Sequence, residues 1–553
     1  MHSLSKNWVI LPKKSDSIIE QLLFNRNIKL KNRKSFLSPS FDQDLHDPFL
    51  MKGMKAAIGR IIKAIDNKEK IGLFGDYDAD GIPGLALLYQ SFKKMGLEVI
   101  LYIPKRAQGY GLNFEGIDLF KKEKVTLMVT VDLGIRNIKE VIYAKENGID
   151  TIIIDHHEQG EKLPEAIILN PKQKNDRYPF RELSACGVAF KFIQGMSRES
   201  MLTKTINIPF LKWLLDLVAI ATICDVVPLV DENRIFAKFG LIVLQKTRRI
   251  GLEKLYQAAT IDHNLIDTHT VGFQIGPRLN APGRMDHANE SFYLLVSEDP
   301  RESMILATKL DQINRQRQAE LERVLKEAEE KVEKNLLHQK KVILVEGKNW
   351  PHGIIGLVAG KLMEQFSRPA IVCERREKDF RGSARSIDAF NIIEALEEAK
   401  QFLSSYGGHA KAAGLTFEQE HLSNLYDELL KIAENKITNE DLIPKLKIDA
   451  LVKKEDLDYN LLNDIQKFAP FGLGNPCPVF MIEKAAISDI RTVGQTQKHL
   501  KMKVEGIEAI GFDLGNLAKD LSQDQKIDAA FTLDENNWDG NKKLQLKIID
   551  IRI

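Results

Sequence analysis

Three short apolar runs in the first third of this chain each end on a carboxylate, and no other feature restricts the fold as much. Ile71-Gly72-Leu73-Phe74 leads through Gly75 to Asp76, Leu127-Met128-Val129-Thr130-Val131 leads to Asp132, and Thr151-Ile152-Ile153-Ile154 leads to Asp155. Such runs lack polar alternation and read as strands buried on both faces. Helical stretches at 84–94 and 136–147 and a further strand at 99–103 lie between them. Strands alternating with helices predict a parallel sheet covered on both sides. Ligands of open parallel sheets collect at the carboxyl ends of the strands, where these acids stand. A single acid there is most often a turn or cap residue, but three in one sheet ask for a common reason.

The residues around them suggest one. Gly75-Asp76-Tyr77-Asp78-Ala79-Asp80-Gly81 holds three carboxylates within five residues. Carboxylates this close repel unless a cation neutralises them, and hard oxygen ligands suit Mg²⁺ or Mn²⁺. A calcium loop of EF-hand type does not fit, because the twelfth position from Asp76 is Leu87 rather than glutamate. Asp155-His156-His157 adds imidazole, which favours Mn²⁺ over Mg²⁺. An apolar helix at 212–224 leads to Asp225, and Asp132 and Asp225 complete a candidate site for two metal ions.

The rest of the chain is laid out around this. Its 553 residues exceed one ordinary core. Residues 1–50 read as an extension, 51–300 as the acid-bearing α/β domain and 301–340 as a long charged connecting helix. Residues 341–445 read as a smaller α/β domain and 446–553 as a small β-barrel. Glycine-rich turns are expected at 381–385 and 406–410. A net charge of +2 gives no global basic field, so a nucleic-acid surface would have to be local. Four scattered cysteines fit neither a zinc ribbon nor a disulfide framework. With no signal-peptide pattern and no apolar stretch near the ~20 residues that span a membrane, the expectation is a cytoplasmic protein without membrane contact.

The order Gly-Asp-Tyr-Asp-Ala-Asp-Gly, Val131-Asp132-Leu133-Gly134, Asp155-His156-His157 and Asp225 resembles the DHH phosphoesterase family. Three later segments resemble the branch of that family made of single-strand-specific exonucleases. They are Gly276–Ala281, Gly407-Gly408-His409 with Ala413-Gly414, and Pro470-Phe471-Gly472-Leu473-Gly474-Asn475-Pro476. The resemblance runs from about residue 45 to the carboxyl terminus. It implies a parallel-sheet DHH domain, a connecting helix, a smaller α/β DHH-associated domain and a C-terminal OB-like β-barrel. It also implies 5′-to-3′ hydrolysis of single-stranded DNA to mononucleotides in DNA repair and recombination, with two Mn²⁺ or Mg²⁺ ions. Single-stranded DNA is the implied partner, with single-strand-binding protein and a helicase as further candidates.

Position by position, Asp78, Asp80, Asp132, His156 and Asp225 match the family's metal ligands. His157 matches the second histidine of the signature, beside the metals and the scissile phosphate. Asp76 is the extra acid of the motif, and Asp155 is placed to orient a histidine. Arg278, Ser383 and Arg385 resemble the pocket for the DNA 5′-phosphate, since a guanidinium can hold a phosphate by two parallel hydrogen bonds. Gly407, Gly408 and His409 are expected against the nucleotide, and Arg106, Tyr110 and Asn113 in a loop that touches the strand. The chain departs from the wider pattern at Phe74, where some relatives place a metal-binding histidine, and at Pro83 and Leu133.

Two other readings fit the same sheet. One is a phosphodiesterase of short oligonucleotides or cyclic dinucleotides, which the region after 446 argues against. The other is an inactive single-strand-binding scaffold, which the filled metal positions argue against.

Overall fold

A computed structural model describes residues 6–285, 287–538 and 541–553. The chain forms two compact units, one of Pro12–Asn314 with Asp449–Ile553, the other of residues up to Leu11 with Arg315–Ile448.

The first unit is built on a five-stranded sheet in the order 98–102, 70–75, 127–131, 150–154, 167–169, with every pairing parallel. The Leu127–Val131 strand is buried at every position, as its unbroken apolar run requires. After the 70–75 strand the chain adds a strand on one side, then crosses to add the next on the other. The topological switch therefore lies between the carboxyl ends of 70–75 and 127–131, the place where an open α/β sheet leaves a crevice for ligands.

The same unit contains the C-terminal barrel. Strands Phe480–Val493, His499–Val504, Ile507–Gly511, Asn541–Arg552 and Lys526–Trp538 pair in that order, and the last pairs back with the first, closing it. Closure leaves no free edge. Leu500, Met502, Val504, Phe480, Phe531, Leu546 and Ile548 fill the interior. Phe480 is thus core, whereas Phe512 is exposed and rests edge-on against His499.

The 1–50 region is less of an appendage than its prolines suggest. Leu22, Leu23 and Phe36 join the core of the C-terminal barrel, and Asn7–Ile10 pairs in parallel with Lys445–Ile448 in the second unit. The connecting helix runs Pro300–Lys334. It starts where Asp299 accepts the Arg301 and Glu302 amides, and no glycine or proline interrupts it afterwards.

The second unit has a mixed five-stranded sheet ordered 405–409, 412–418, 379–385, 370–375, 343–348. Only the pairing of Ile343–Lys348 with Ala370–Arg375 is parallel. The two glycine-rich segments are strands here rather than turns. Phe380, Gly382 and Ala384 face inward while Arg381, Ser383 and Arg385 face outward, a period of two. Gly382 is small because Cys373 Sγ and Leu415 would stand within 3 Å of a Cβ there. Ser405–His409 is likewise an edge strand against Ala412–Glu418. Among the described residues no helix is long and apolar enough to cross a membrane.

Candidate metal centre

The three strand-end acids stay in the sheet ladder one residue beyond their strands. The Asp76 amide donates to the Val131 carbonyl, Asp132 to Ile154 and Asp155 to Leu169, at 3.2, 2.9 and 3.1 Å. Their backbones are therefore as rigid as the sheet, and they open into the crevice at the switch point. Asp132 holds a left-handed φ of +64°, an uncommon conformation that aspartate tolerates better than most residues.

The Asp76–Gly81 loop is pinned from several directions. Asp78 Oδ1 accepts the amides of Asp80 and Gly81 at 2.9 and 3.1 Å. Asp80 accepts the Ala185 and Cys186 amides at 2.7 and 2.8 Å, at the start of the Ala185–Met196 helix, where free N–H groups and the helix dipole favour an anion. Asn280 Oδ1 accepts the Ala79 amide at 2.9 Å. A Cβ on Gly81 would lie 2.5 Å from the Asp76 carbonyl oxygen and 2.9 Å from its Cα, atoms that cannot yield. Gly81→Ala is accordingly expected to open the loop and lower kcat by about 100-fold, a loss of the size seen when a group supporting a metal ligand is removed. Single-turnover kinetics in Mn²⁺ would show it, and unchanged rates would mean that the loop tolerates the shift.

Around the crevice the donor atoms converge. His156 Nε2 lies 3.3 Å from Asp132 Oδ1, 3.7 Å from Asp225 Oδ2 and 3.8 Å from Asp80 Oδ2. Three overlapping sets each bring their ligand atoms within 4.8 Å of one another: Asp80 with His156 and Asp225, Asp76 with Asp78 and Asp132, and Asp132 with His156 and His157. Asp132 belongs to two carboxylate-bearing sets at once.

The electrostatics show what kind of group this arrangement suits. Burial, then Asp78, pushes the Asp80 carboxyl up to about 7, and burial, then Asp80, pushes Asp225 up to about 9. Asp76 and Asp132 are also raised well above the carboxylate range, by burial and then by Asp78 and Asp80 respectively. Burial, then the neighbouring His157, lowers His156 to about 4, leaving a neutral imidazole with a lone pair to give. Asp76 Oδ1 and Asp132 Oδ1 are buried without a hydrogen-bond partner. Buried polar atoms are almost always paired. Oxygens left bare among like charges, next to a neutral imidazole, fit divalent cations of the Mn²⁺ or Mg²⁺ kind.

Asp155 stands apart from the other acids. Its Oδ1 accepts the His156 and His157 amides and lies 2.8 Å from His157 Nδ1, while Oδ2 accepts the Ile135 amide. Burial alone would raise it, but the His157 hydrogen bond and charge outweigh burial, and its carboxyl is lowered. Burial pulls His157 down, the bond to Asp155 together with the charges of Asp155, Asp80 and Asp78 outweighs that, and the imidazole ends raised. Asp155 orients His157 so that Nε2 is the nitrogen left for other partners.

The neighbouring loop reaches the crevice. The Tyr110 hydroxyl donates to the Asp132 carbonyl at 2.6 Å and sits 3.0 Å from His157 Nδ1. Arg106 lies over the Tyr77 ring at 4.5 Å and donates to the Gly283 carbonyl. Asn113 instead caps the Phe114–Lys122 helix through the Gly116 amide. Phe74, on the sheet's other face, packs against Tyr102 and Phe120 in the core. Leu133 is buried beside them, and Pro83 lies in the first turn of the Gly81–Lys94 helix.

Of the expected phosphate contacts, Arg278 lies in the same unit, where its guanidinium meets Asp311 at 2.8 and 2.9 Å and donates to the Gln274 carbonyl. Ser383 and Arg385 lie in the second unit on one strand face, Arg385 donating to Ser383 Oγ at 3.2 Å. A Cβ on Gly356 would stand 3.0 Å from that Oγ and 3.1 Å from the guanidinium, so glycine leaves the pair its room. Being strands, 381–385 and 405–409 offer side chains rather than a nest of backbone amides. Gly407 and Gly408, with a φ of +148° at Gly408, sit on the exposed edge beside His409.

Family models match for the DHH family N-terminal domain at 70–222, the DHHA1 domain at 339–439 and the RecJ OB domain at 448–550. The single-stranded-DNA-specific exonuclease RecJ of Bacillus subtilis is 38% identical over 544 residues, covering 97% of this chain and 68% of the relative. That of Haemophilus influenzae is 32% identical over 525 residues, covering 91% of each. The chain belongs to the RecJ family. RecJ of Thermus thermophilus, solved in complex with Mn²⁺, matches with a TM-score of 0.84 and 26% identity over 99% of this chain and 79% of that one. An exonuclease RecJ bound to manganese matches at 0.60 and 29% identity over 70% of this chain and 96% of that one. RecJ kinship spans both units, and the family models match in the order DHH, DHHA1 and RecJ OB along the chain.

Several residues that the structure buries or sets against the acid loop escaped the sequence reading. Asn280, which accepts the Ala79 amide, lies in the Gly276–Ala281 segment that carries the resemblance, where only Arg278 was given a role. Glu232, Asn233 and Arg234 are buried, although Asp231-Glu232-Asn233-Arg234 at a helix start looks like a solvated cap.

Proposed function

We propose that the chain is a single-stranded-DNA-specific exonuclease that works from the 5′ end and releases 5′-mononucleotides, in DNA repair and recombination. The observation that carries this is the crevice at the sheet's switch point, where bare buried carboxylate oxygens and a neutral His156 converge in a RecJ-family chain. Asp78, Asp80, Asp132, His156 and Asp225 would hold two Mn²⁺ or Mg²⁺ ions, with Asp76 ligating directly or supporting a ligand. When bound, the ions lower the pKa of a water and neutralise charge on the attacked phosphate.

The chain's own residues do the rest. Asp155 keeps His157 turned so that Nε2 can meet a phosphate oxygen. Tyr110 braces both Asp132 and His157 from outside. Water oxygen bonds to phosphorus as the bond to the 3′-oxygen breaks, and that oxygen takes a proton. The terminal nucleotide leaves with its own 5′-phosphate, and the next acquires one. Arg278 in one unit, and Ser383 and Arg385 in the other, are the proposed contacts to strand phosphates. Arg106 and the Gly407–His409 edge would add to them. Phe512 beside His499 offers an exposed ring on which a base can stack.

The proposed domain limits are 51–300, 301–340, 341–445 and 446–553. Cytoplasmic residence, with single-strand-binding protein and a helicase as partners, completes the proposal.

Purified protein with Mn²⁺ should shorten a 5′-phosphorylated single strand from that end to mononucleotides and leave blunt duplex intact. Preference for a cyclic dinucleotide in the same assay would instead support the phosphodiesterase reading. Intact products throughout, with strand binding retained, would support the scaffold.

A further inference from the structure

The segment Pro470–Pro476 belongs to none of the chemistry above, and although Leu473 at its tip is exposed, its two ends are held by buried polar groups. Gly472 and Asn475 exchange backbone hydrogen bonds at 2.9 and 3.1 Å, closing a turn with Leu473 and Gly474 at its tip. Asn475 is fully buried, and its amide donates to the Phe468 and Pro470 carbonyls at 2.8 and 2.9 Å. Arg234, also buried, donates to the carbonyls of Lys467, Phe468 and Ala469 at 2.6–2.9 Å, and to Phe36 at 2.9 Å. A guanidinium spent on a cluster of main-chain carbonyls serves to hold backbone, not to bind substrate.

What this backbone holds is the loop that follows Asp225. The Leu229 amide donates to the Leu473 carbonyl at 2.7 Å. Cβ atoms at Gly472 and Gly474 would come within 2.7 Å of the Leu229 side chain and 3.0 Å of Pro228 Cβ. Asn233 donates to the Pro228 carbonyl at 3.1 Å and to the Glu182 carbonyl at 2.5 Å. Between this clamp and Asp225 stands Val226, a solvent-facing β-branched residue at φ +56°. Such a conformation is strained for a β-branched residue and persists only where its surroundings impose it. Upstream, the helix ending at Cys224 fixes one side of the bend, and the Asp225 amide still donates to Ala221. Downstream, 226–229 is anchored by the 470–476 turn through Leu229 and by Asn233 through Pro228.

We propose that the 470–476 turn of the C-terminal domain, locked by Arg234 and Asn475, is a positioning element for Asp225. The barrel domain would then set the geometry of a metal ligand as well as bind the strand. Leu473, Gly474 and Asn475 are positioning residues in this scheme, since they reach the substrate only through Asp225. The inference rests on the reading of Asp225 as a metal ligand.

The test uses the full-length protein and titrates Mn²⁺ by calorimetry, without DNA. Gly474→Ala puts a Cβ against Pro228 at a left-handed position and should weaken one of two Mn²⁺ sites by about tenfold or more. On DNA it should lower kcat with little change in KM. Asp225→Ala is measured alongside. If Asp225→Ala weakens Mn²⁺ binding and Gly474→Ala does not, the positioning role is wrong. If Asp225→Ala itself leaves both sites intact, the ligand reading fails instead. Hydrogen exchange on the unmodified protein decides the matter should Gly474→Ala not fold. The Leu229 amide should be protected to the same degree as those of Gly472 and Asn475 and should open with them. Free exchange at Leu229 beside protected Gly472 and Asn475 would overturn the proposal.

Discussion

Asp132→Asn is expected to abolish turnover and, at the same time, to make the metal-stripped protein more stable. Asparagine tolerates the left-handed backbone of this position, so the fold loses no conformational fit. It cannot supply the negative charge of a carboxylate shared by two ligand sets. Removing such a group should cost at least about 10³-fold in kcat, since several kcal/mol of charge stabilisation depend on it. The stability change has the opposite sign. Asp132 is raised in the folded state, by burial first and by Asp80, Asp78 and Asp76 after it. A carboxyl raised on folding opposes folding once the pH passes its unfolded value, near 4, because the unfolded chain gives up its proton more easily. At neutral pH the substitution removes that opposition, and a gain of about 1 kcal/mol or more is expected in chelator. The gain should shrink as the pH falls towards 4. In Mn²⁺ the order should reverse, because only the unmodified protein gains the full binding energy. Melting curves in chelator and in Mn²⁺ at two pH values would check all of this. A variant less stable than the parent under every condition would show that Asp132 has a structural role which its bare Oδ1 does not reveal.

The strand ends were legible because two periodicities and one residue type coincide there. An unbroken Val/Ile run can be little else than a doubly covered strand, and Asp76, Asp132 and Asp155 follow such runs directly. Their division of labour was harder to read. Asp155 has the same sequence setting as Asp132, yet it accepts three backbone amides and a histidine, whereas Asp132 keeps a bare oxygen. Only strand order and loop direction separate the two, and neither is written locally. Gly382 and Gly407 read as turn residues because glycine usually bends a chain. Here the alternation of Phe380, Gly382 and Ala384 marks a strand, and the glycine answers to Cys373 and Leu415 across the sheet. Arg278 has the right chemistry for phosphate, but a partner thirty-three positions away, Asp311, already engages it. The polar run at 231–234 is the clearest loss. Its burial depends on residues 36, 46, 178, 191 and 467–470, which no window around it contains.

The same run carries the largest expected effect on stability. Lys191 and Glu232 form an ion pair at 2.8 Å with both side chains wholly out of solvent. The pair is completely served: Lys191 also donates to the His46 carbonyl at 2.7 Å, and Glu232 accepts the His46 amide at 3.0 Å and the Tyr178 hydroxyl at 2.5 Å. Burial lowers Lys191 from its ordinary range, and Glu232 only partly restores it. A pair of this kind adds little over an apolar substitute, but removing one partner leaves the other charged in a dry site. Lys191→Met should therefore cost about 3–5 kcal/mol, read as a shift in the urea midpoint of the unit that contains it. Glu232 keeps two donors in that variant, so the remaining penalty is chiefly that of an uncompensated charge. Adding Glu232→Gln removes the charge while keeping one acceptor for the His46 amide and an NH2 that can donate to the Tyr178 hydroxyl oxygen, and the double variant should recover a substantial part of the loss. Strict additivity of the two single costs would mean that the residues do not act as a pair. The consequence reaches the metal crevice, because Glu232 opens the helix that begins five residues after Val226. A loosened Glu232 should free the 226–230 loop before the sheet yields, so Mn²⁺ binding should weaken in Lys191→Met at urea concentrations where the fold is still intact.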